Sequence, residues 1–120
     1  MRGILIATFC IFGASTAPTV EVTSSGSDFQ EACRFIATDA PYTRDMSFKV
    51  GFCAGDLTAL AWVASQPSFG ILRSCPPKDA SLPQLAEVAV SYLDRHPSRL
   101  RETLLGLILS SFAEVWPCAR

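Results

Sequence analysis

The chain has 120 residues, 49% of them hydrophobic and 18% charged, with a formal net charge of −1 at pH 7. That length bounds it to one domain with a real but modest core. Its 10 basic and 11 acidic residues are interspersed rather than blocked, which leaves no electrostatic footprint for nucleic acid or for an anionic membrane surface.

Met1, Arg2 and Gly3 precede an apolar run from Ile4 to Phe12, and small residues follow from Gly13 to Ala17. Basic, apolar, small is the order of a secretory signal, and the run is about half as long as the twenty or so residues a membrane span needs. Residues 1–17 are therefore expected to be a signal peptide cleaved near Ser15 or Ala17, with the product periplasmic and free of the membrane. Both cuts stay open, because Pro18 would follow Ala17 while Gly13 lies upstream of Ser15. Phe9 stands where a lipoprotein signal would place a small residue before Cys10. Cleavage at either site removes Cys10 and leaves Cys33, Cys53, Cys75 and Cys118. An even cysteine set in an oxidising compartment reads as a disulfide framework.

Residues 18–26 hold Thr, Ser, Pro and Gly with little to bury and predict a flexible N-terminus ahead of a helical domain over 27–120. The first helix is predicted to open on a capping box, Ser27-Asp28-Phe29-Gln30. Phe29, Ala32, Cys33 and Ile36 share its apolar face, and Pro41 ends it. The second is predicted to start at Asp45 as N-cap and to place Met46, Val50, Cys53, Leu57, Leu60, Ala61 and Ala64 on one stripe before Pro67. Gly51, Gly55 and Ala59 recur every fourth residue within it. Glycine in a helix interior costs roughly 1 kcal/mol relative to alanine, so a close backbone neighbour is expected there.

Pro67, Gly70, Pro76 and Pro77 keep the segment 65–78 from long regular structure, and Cys75 pins it as a loop. A second capping box, Ser81-Leu82-Pro83-Gln84, opens the third helix, with Leu82, Leu85, Val88, Ala89, Tyr92 and Leu93 facing inward. Arg95 and His96 complement its negative end. The fourth helix is predicted from Ser98 to Trp116 and is apolar on most sides from Leu100 onward, which suits a central helix or one half-buried in a partner subunit. With no sustained period-two pattern, the fold class is all-α: a compact bundle of about four helices stapled by two disulfides.

Little in this plan supports catalysis. His96 is the single histidine and reads as a helix-terminus residue. No Gly-x-Ser-x-Gly turn, second histidine for a zinc hydrolase or Gly-rich phosphate loop occurs. Four cysteines separated by whole helices, without a Cys-x-x-Cys pair, do not resemble a zinc site. No enzymatic activity, catalytic residue, metal or cofactor is expected.

Gly51-Phe52-Cys53-Ala54-Gly55, Cys75-Pro76, Ser81-Leu82-Pro83-Gln84-Leu85, Tyr92-Leu93-Asp94-Arg95-His96-Pro97 and Trp116-Pro117-Cys118 occur in that order. Together they resemble the Rap/Tai family over most of the mature chain, from about Cys33 to Cys118. Characterised members of that family are small exported bacterial immunity proteins against peptidoglycan amidase toxins of type VI secretion. The resemblance implies a protein that binds a toxin in the periplasm, covers its substrate cleft and does no chemistry itself. It also suggests a homodimer formed through the second or fourth helix. Asp56 departs from the pattern, standing where the family usually has an aromatic residue, and Ala59 replaces the next glycine.

A protruding partner-binding element is expected in the loop carrying Gln66, Phe69, Ile71, Leu72 and Arg73. The competing expectation is that its apolar residues fold back on the bundle. The competing function class is a structural or stress-related periplasmic binding module without a toxin partner. Four cysteines allow three pairings. The preferred one joins Cys53 to Cys75, because the proline-rich loop can fold back along the second helix, and Cys33 to Cys118.

Overall fold

A computed structural model describes residues 25–119, so the predicted signal peptide and most of the predicted flexible N-terminus lie outside the described residues. Four α-helices, α1 (Gly26–Ala37), α2 (Ser47–Ala64), α3 (Leu82–Arg95) and α4 (Leu104–Val115), form the all-α bundle, with no strand among the described residues.

Helix α1 begins two residues earlier than its sequence suggests. Its N-cap is Ser25, whose Oγ accepts from the Asp28 amide at 3.3 Å and donates to Asp28 Oδ2 at 2.7 Å. The box expected at Ser27 does not form, because Gln30 donates to Asp94 on α3 instead. What moves the boundary is tertiary: the Gly26 amide donates to the Leu100 carbonyl at 3.1 Å, and Ser25 bridges to Thr103. The helix closes in a Schellman motif, with Ala40 N–H bonded to Phe35 O and Asp39 N–H to Ile36 O. Asp39 supplies the left-handed residue at φ 51°.

No side chain caps α2; a 3₁₀ turn over Arg44–Met46 feeds directly into it, in place of the expected Asp45 cap. Val50, Cys53, Leu57 and Ala64 are buried as the stripe predicts. Gly51 and Gly55 reverse expectation: a Cβ built on either meets nothing within 4 Å. They lie on the open side of the helix, so no backbone among the described residues packs against them.

The capping box of α3 forms as read, with the Ser81 amide donating to Gln84 Oε1 at 2.8 Å and the Gln84 amide to Ser81 Oγ at 3.4 Å. Leu85, Ala86, Ala89, Val90, Tyr92 and Leu93 are buried, and α1 packs along this helix more extensively than along any other. The predicted fourth helix splits. Pro97–Arg99 is a 3₁₀ turn, and α4 starts only at Leu104. The Leu100 carbonyl, which a continuous helix would need, is taken by Gly26, and Thr103 is extended to pair with Ser25. Leu104, Leu107, Ile108, Leu109 and Phe112 then carry α4 through the core.

The disulfides are Cys33–Cys53 and Cys75–Cys118, with Cα separations of 5.6 and 4.9 Å, and the expected Cys53–Cys75 and Cys33–Cys118 pairs are not formed. Cys33 and Cys53 meet in the core where α1 crosses α2, and both are fully buried. The proline-rich loop does fold back on α2, but at its last turn, where the Ser74 amide donates to Ala64 O at 3.0 Å. Eleven residues of helix separate Ala64 from Cys53, a rise of about 16 Å that no disulfide spans. Cys75 instead lies beside the C-terminal segment, its amide donating to Trp116 O at 2.8 Å.

Candidate interaction surface

The loop after α2 is drawn out by its own backbone. A 3₁₀ stretch over Pro67–Leu72 breaks at Gly70, whose φ of 56° and ψ of −124° suit only a residue without a side chain. Gln66 anchors the entry by donating from Nε2 to Trp62 O at 3.2 Å. At the exit, Arg73 Nε donates to Ser65 O at 3.4 Å. Between these ties Ile71 is 96% exposed, Phe69 is half-buried, and Gly70, Ile71 and Arg73 line a shallow cleft with Ala113 and Pro117 beside α4. Of the expected binding residues, Ile71 stands out in solvent, whereas Gln66 and Arg73 hold the loop's ends.

A larger apolar surface was not anticipated from the sequence. Phe48 and Trp62, 66% and 69% exposed, stand at opposite ends of α2 on the side that carries Gly51, Gly55 and Ala59. At 100° per residue these five positions fall within about 40° of Gly55. The expected packing role of the glycines hid this, since the same i, i+4 spacing marks either a buried groove or an open one. Beyond Trp62 a groove of about 500 Å³ continues over Ala61, Thr58, Pro76, Pro77 and Lys78. Asp56 flanks the helix on another side, where partial burial pushes its carboxyl above the ordinary value.

The segment Tyr92 to Pro97 is a structural clasp. Asp94 pairs with Arg34 of α1 at 2.6 Å, and the hydrogen bond from that guanidinium holds the carboxyl below its ordinary value. Arg95 reaches Glu114 of α4 at 2.7 Å. Tyr92 is buried, its ring stacked on His96 at 4.2 Å between centroids and its hydroxyl bonded by Arg99. His96 Nδ1 donates to the Tyr92 carbonyl at 2.8 Å, consistent with its expected place at the helix end. The one histidine is thus committed to the fold.

No cluster of three potential metal ligands occurs among the described residues, and no described helix is long and apolar enough to cross a membrane. What the surface offers is contact: exposed aliphatic and aromatic side chains on a frame held by two cross-links. A family model described as Rap1a immunity proteins matches residues 25–118. The chain belongs to this family. It matches no curated protein and no solved structure. The matched span of the Rap1a immunity domain runs from the cap residue Ser25 to the last bridged cysteine, and so takes in all four helices and both disulfides. Membership gives the chain the role of an immunity protein directed at a protein toxin, a class that is typically non-enzymatic. Two disulfides in so short a domain fit an exported protein.

Proposed function

We propose that the protein is a periplasmic immunity protein that neutralises a peptidoglycan amidase effector of type VI secretion by covering its substrate cleft. The observation that carries this reading is the match to immunity proteins over the whole disulfide-stapled domain. The loop geometry supports it: Ile71 projects from a turn whose two ends are tied to α2, so an apolar probe is presented without a large ordering cost. In the test, the exported domain is mixed with an amidase effector encoded beside its gene, and peptidoglycan hydrolysis and binding are followed together. Stoichiometric inhibition, weakened at least tenfold by Ile71→Asp, is expected. Resistance to that effector in cells lacking the gene would refute the reading.

The active form is proposed to be a homodimer through α2, and the order of residues along that helix supports it. Gly55 is seven residues from Phe48 and seven from Trp62, and four from both Gly51 and Ala59. An antiparallel pair with its two-fold axis at Gly55 sets Phe48 of one copy against Trp62 of the other, with small residues between. A self-complementary patch is what an isologous interface requires. Sedimentation should show a dimer that Gly55→Leu converts to monomer without loss of helix. A wild-type monomer at tens of micromolar would rule this assembly out.

A further inference from the structure

The two disulfides differ in their access to solvent. Cys33 and Cys53 are both at 0% relative exposure, enclosed by α1 and α2. Cys75 is exposed and Cys118 is half-buried, at the surface where the loop after α2 meets the C-terminal segment. Disulfides that a thiolate can reach are the reducible ones, because exchange proceeds by direct attack on sulfur. The exposed bridge also has a mechanical position. It joins the segment that follows the Pro67–Leu72 turn to the segment that follows α4, and few other ties cross there: the Cys75 amide to Trp116 O and the Ser74 to Pro117 bridge. The core cluster of Phe29, Leu57, Leu93, Leu107 and Phe112 meets this region through Trp116, whose ring lies 5.7 Å from that of Phe112.

We propose that Cys75–Cys118 is a redox latch, opened by an exported protein dithiol, and that opening it frees the C-terminal segment from the loop after α2, while Cys33–Cys53 keeps the bundle folded and the ties of Gln66, Arg73 and Ser74 to the end of α2 keep the Ile71 turn in place. A thiolate of the dithiol attacks Cys75 Sγ, the bond to Cys118 breaks, and Cys118 leaves as a thiolate that takes a proton from water. The second thiol of the reductant gives up its proton and attacks the mixed disulfide, and Cys75 leaves as a thiolate and is protonated in turn. Two electrons pass from the dithiol, which ends as a disulfide, to the protein, which ends with two thiols. Any consequence for toxin binding rests on the function proposed above; the latch itself does not.

The experiment uses the oxidised, exported protein with dithiothreitol as the probe dithiol. Pulsed alkylation and peptide mass mapping should find Cys75 and Cys118 labelled at least tenfold faster than Cys33 and Cys53. Hydrogen exchange on the half-reduced, alkylated product should accelerate at least tenfold at residue 75 and over residues 116–119, with the protection of α1 to α3 and of the turn at 66–74 retained. The Cys75→Ser/Cys118→Ser variant should reproduce that pattern, and the half-reduced wild type decides the matter if the variant fails to accumulate. Equal labelling of both bridges, earlier labelling of Cys33 and Cys53, unchanged exchange over residues 116–119, or loss of helix on opening this bridge alone would each overturn the proposal. Loss of toxin binding with an unchanged exchange pattern would also count against the latch. A closed-to-open exchange change without any toxin binding in either state would leave the latch standing and refute the immunity reading.

Discussion

Alanine at Gly26 and at Gly55 should move stability in opposite directions, although both residues are helical glycines. At Gly55 a Cβ meets nothing within 4 Å. The substitution therefore gains helix propensity without a clash, about 1 kcal/mol. In a domain of this size that corresponds to a rise in Tm of roughly 4–8 °C. At Gly26 the new Cβ would lie 2.9 Å from the Leu100 carbonyl oxygen and 2.9 Å from Leu107 Cδ1. Leu107 is fully buried, and the Leu100 carbonyl is held by the Gly26 amide itself. Neither can withdraw freely, and forced overpacking of this kind costs about 1–3 kcal/mol. Thermal and urea unfolding should be run on both variants at concentrations where the protein is monomeric. A Gly26→Ala variant as stable as wild type, or a Gly55→Ala variant less stable, would refute the packing argument. If the proposed α2 dimer forms, the gain at Gly55 should shrink at high concentration, because dimerisation would raise the wild-type Tm by mass action and a methyl group on the two-fold axis would weaken it.

Phe112 is fully buried in the core of α4, so Phe112→Ala should cost about 3–5 kcal/mol, read from the urea midpoint. Asp39 holds the left-handed position of the α1 Schellman motif, and Asp39→Gly should stabilise by up to about 1 kcal/mol in the same assay. Burial raises the Asp56 carboxyl above its unfolded value, so its contribution to stability is greatest below the unfolded pKa and is lost as pH rises through the folded one. Asp56→Asn should accordingly be more stable than wild type at neutral pH, with the advantage vanishing below about pH 4. Unfolding midpoints at pH 3.5 and pH 7 check the sign.

Much of the local plan was legible because it rests on short-range chemistry. The α3 capping box, Pro83 in its first turn and the buried face from Leu85 to Leu93 were all readable, since each depends on residues within four positions of one another. The α1 cap and the start of α4 were not. Both are set by one nonlocal contact in which Gly26 takes the Leu100 carbonyl, and no pattern within either segment records it. The exposed aromatics of α2 escaped notice for a related reason. Glycines spaced by four mark close packing in sequence whether the neighbour lies in the same chain or is another molecule.

The cysteines show where the division falls. Their even number beyond the apolar run at residues 4–12 pointed to a disulfide framework, because that inference needs only composition and order along the chain. Which cysteine meets which was decided by tertiary structure alone, because pairing requires Cα atoms within about 7 Å and distance in three dimensions is not encoded in spacing along the chain. The crossing of α1 over α2 brings Cys33 to Cys53, and the return of the loop to Trp116 brings Cys75 to Cys118. One bridge is thereby buried and the other left open to solvent.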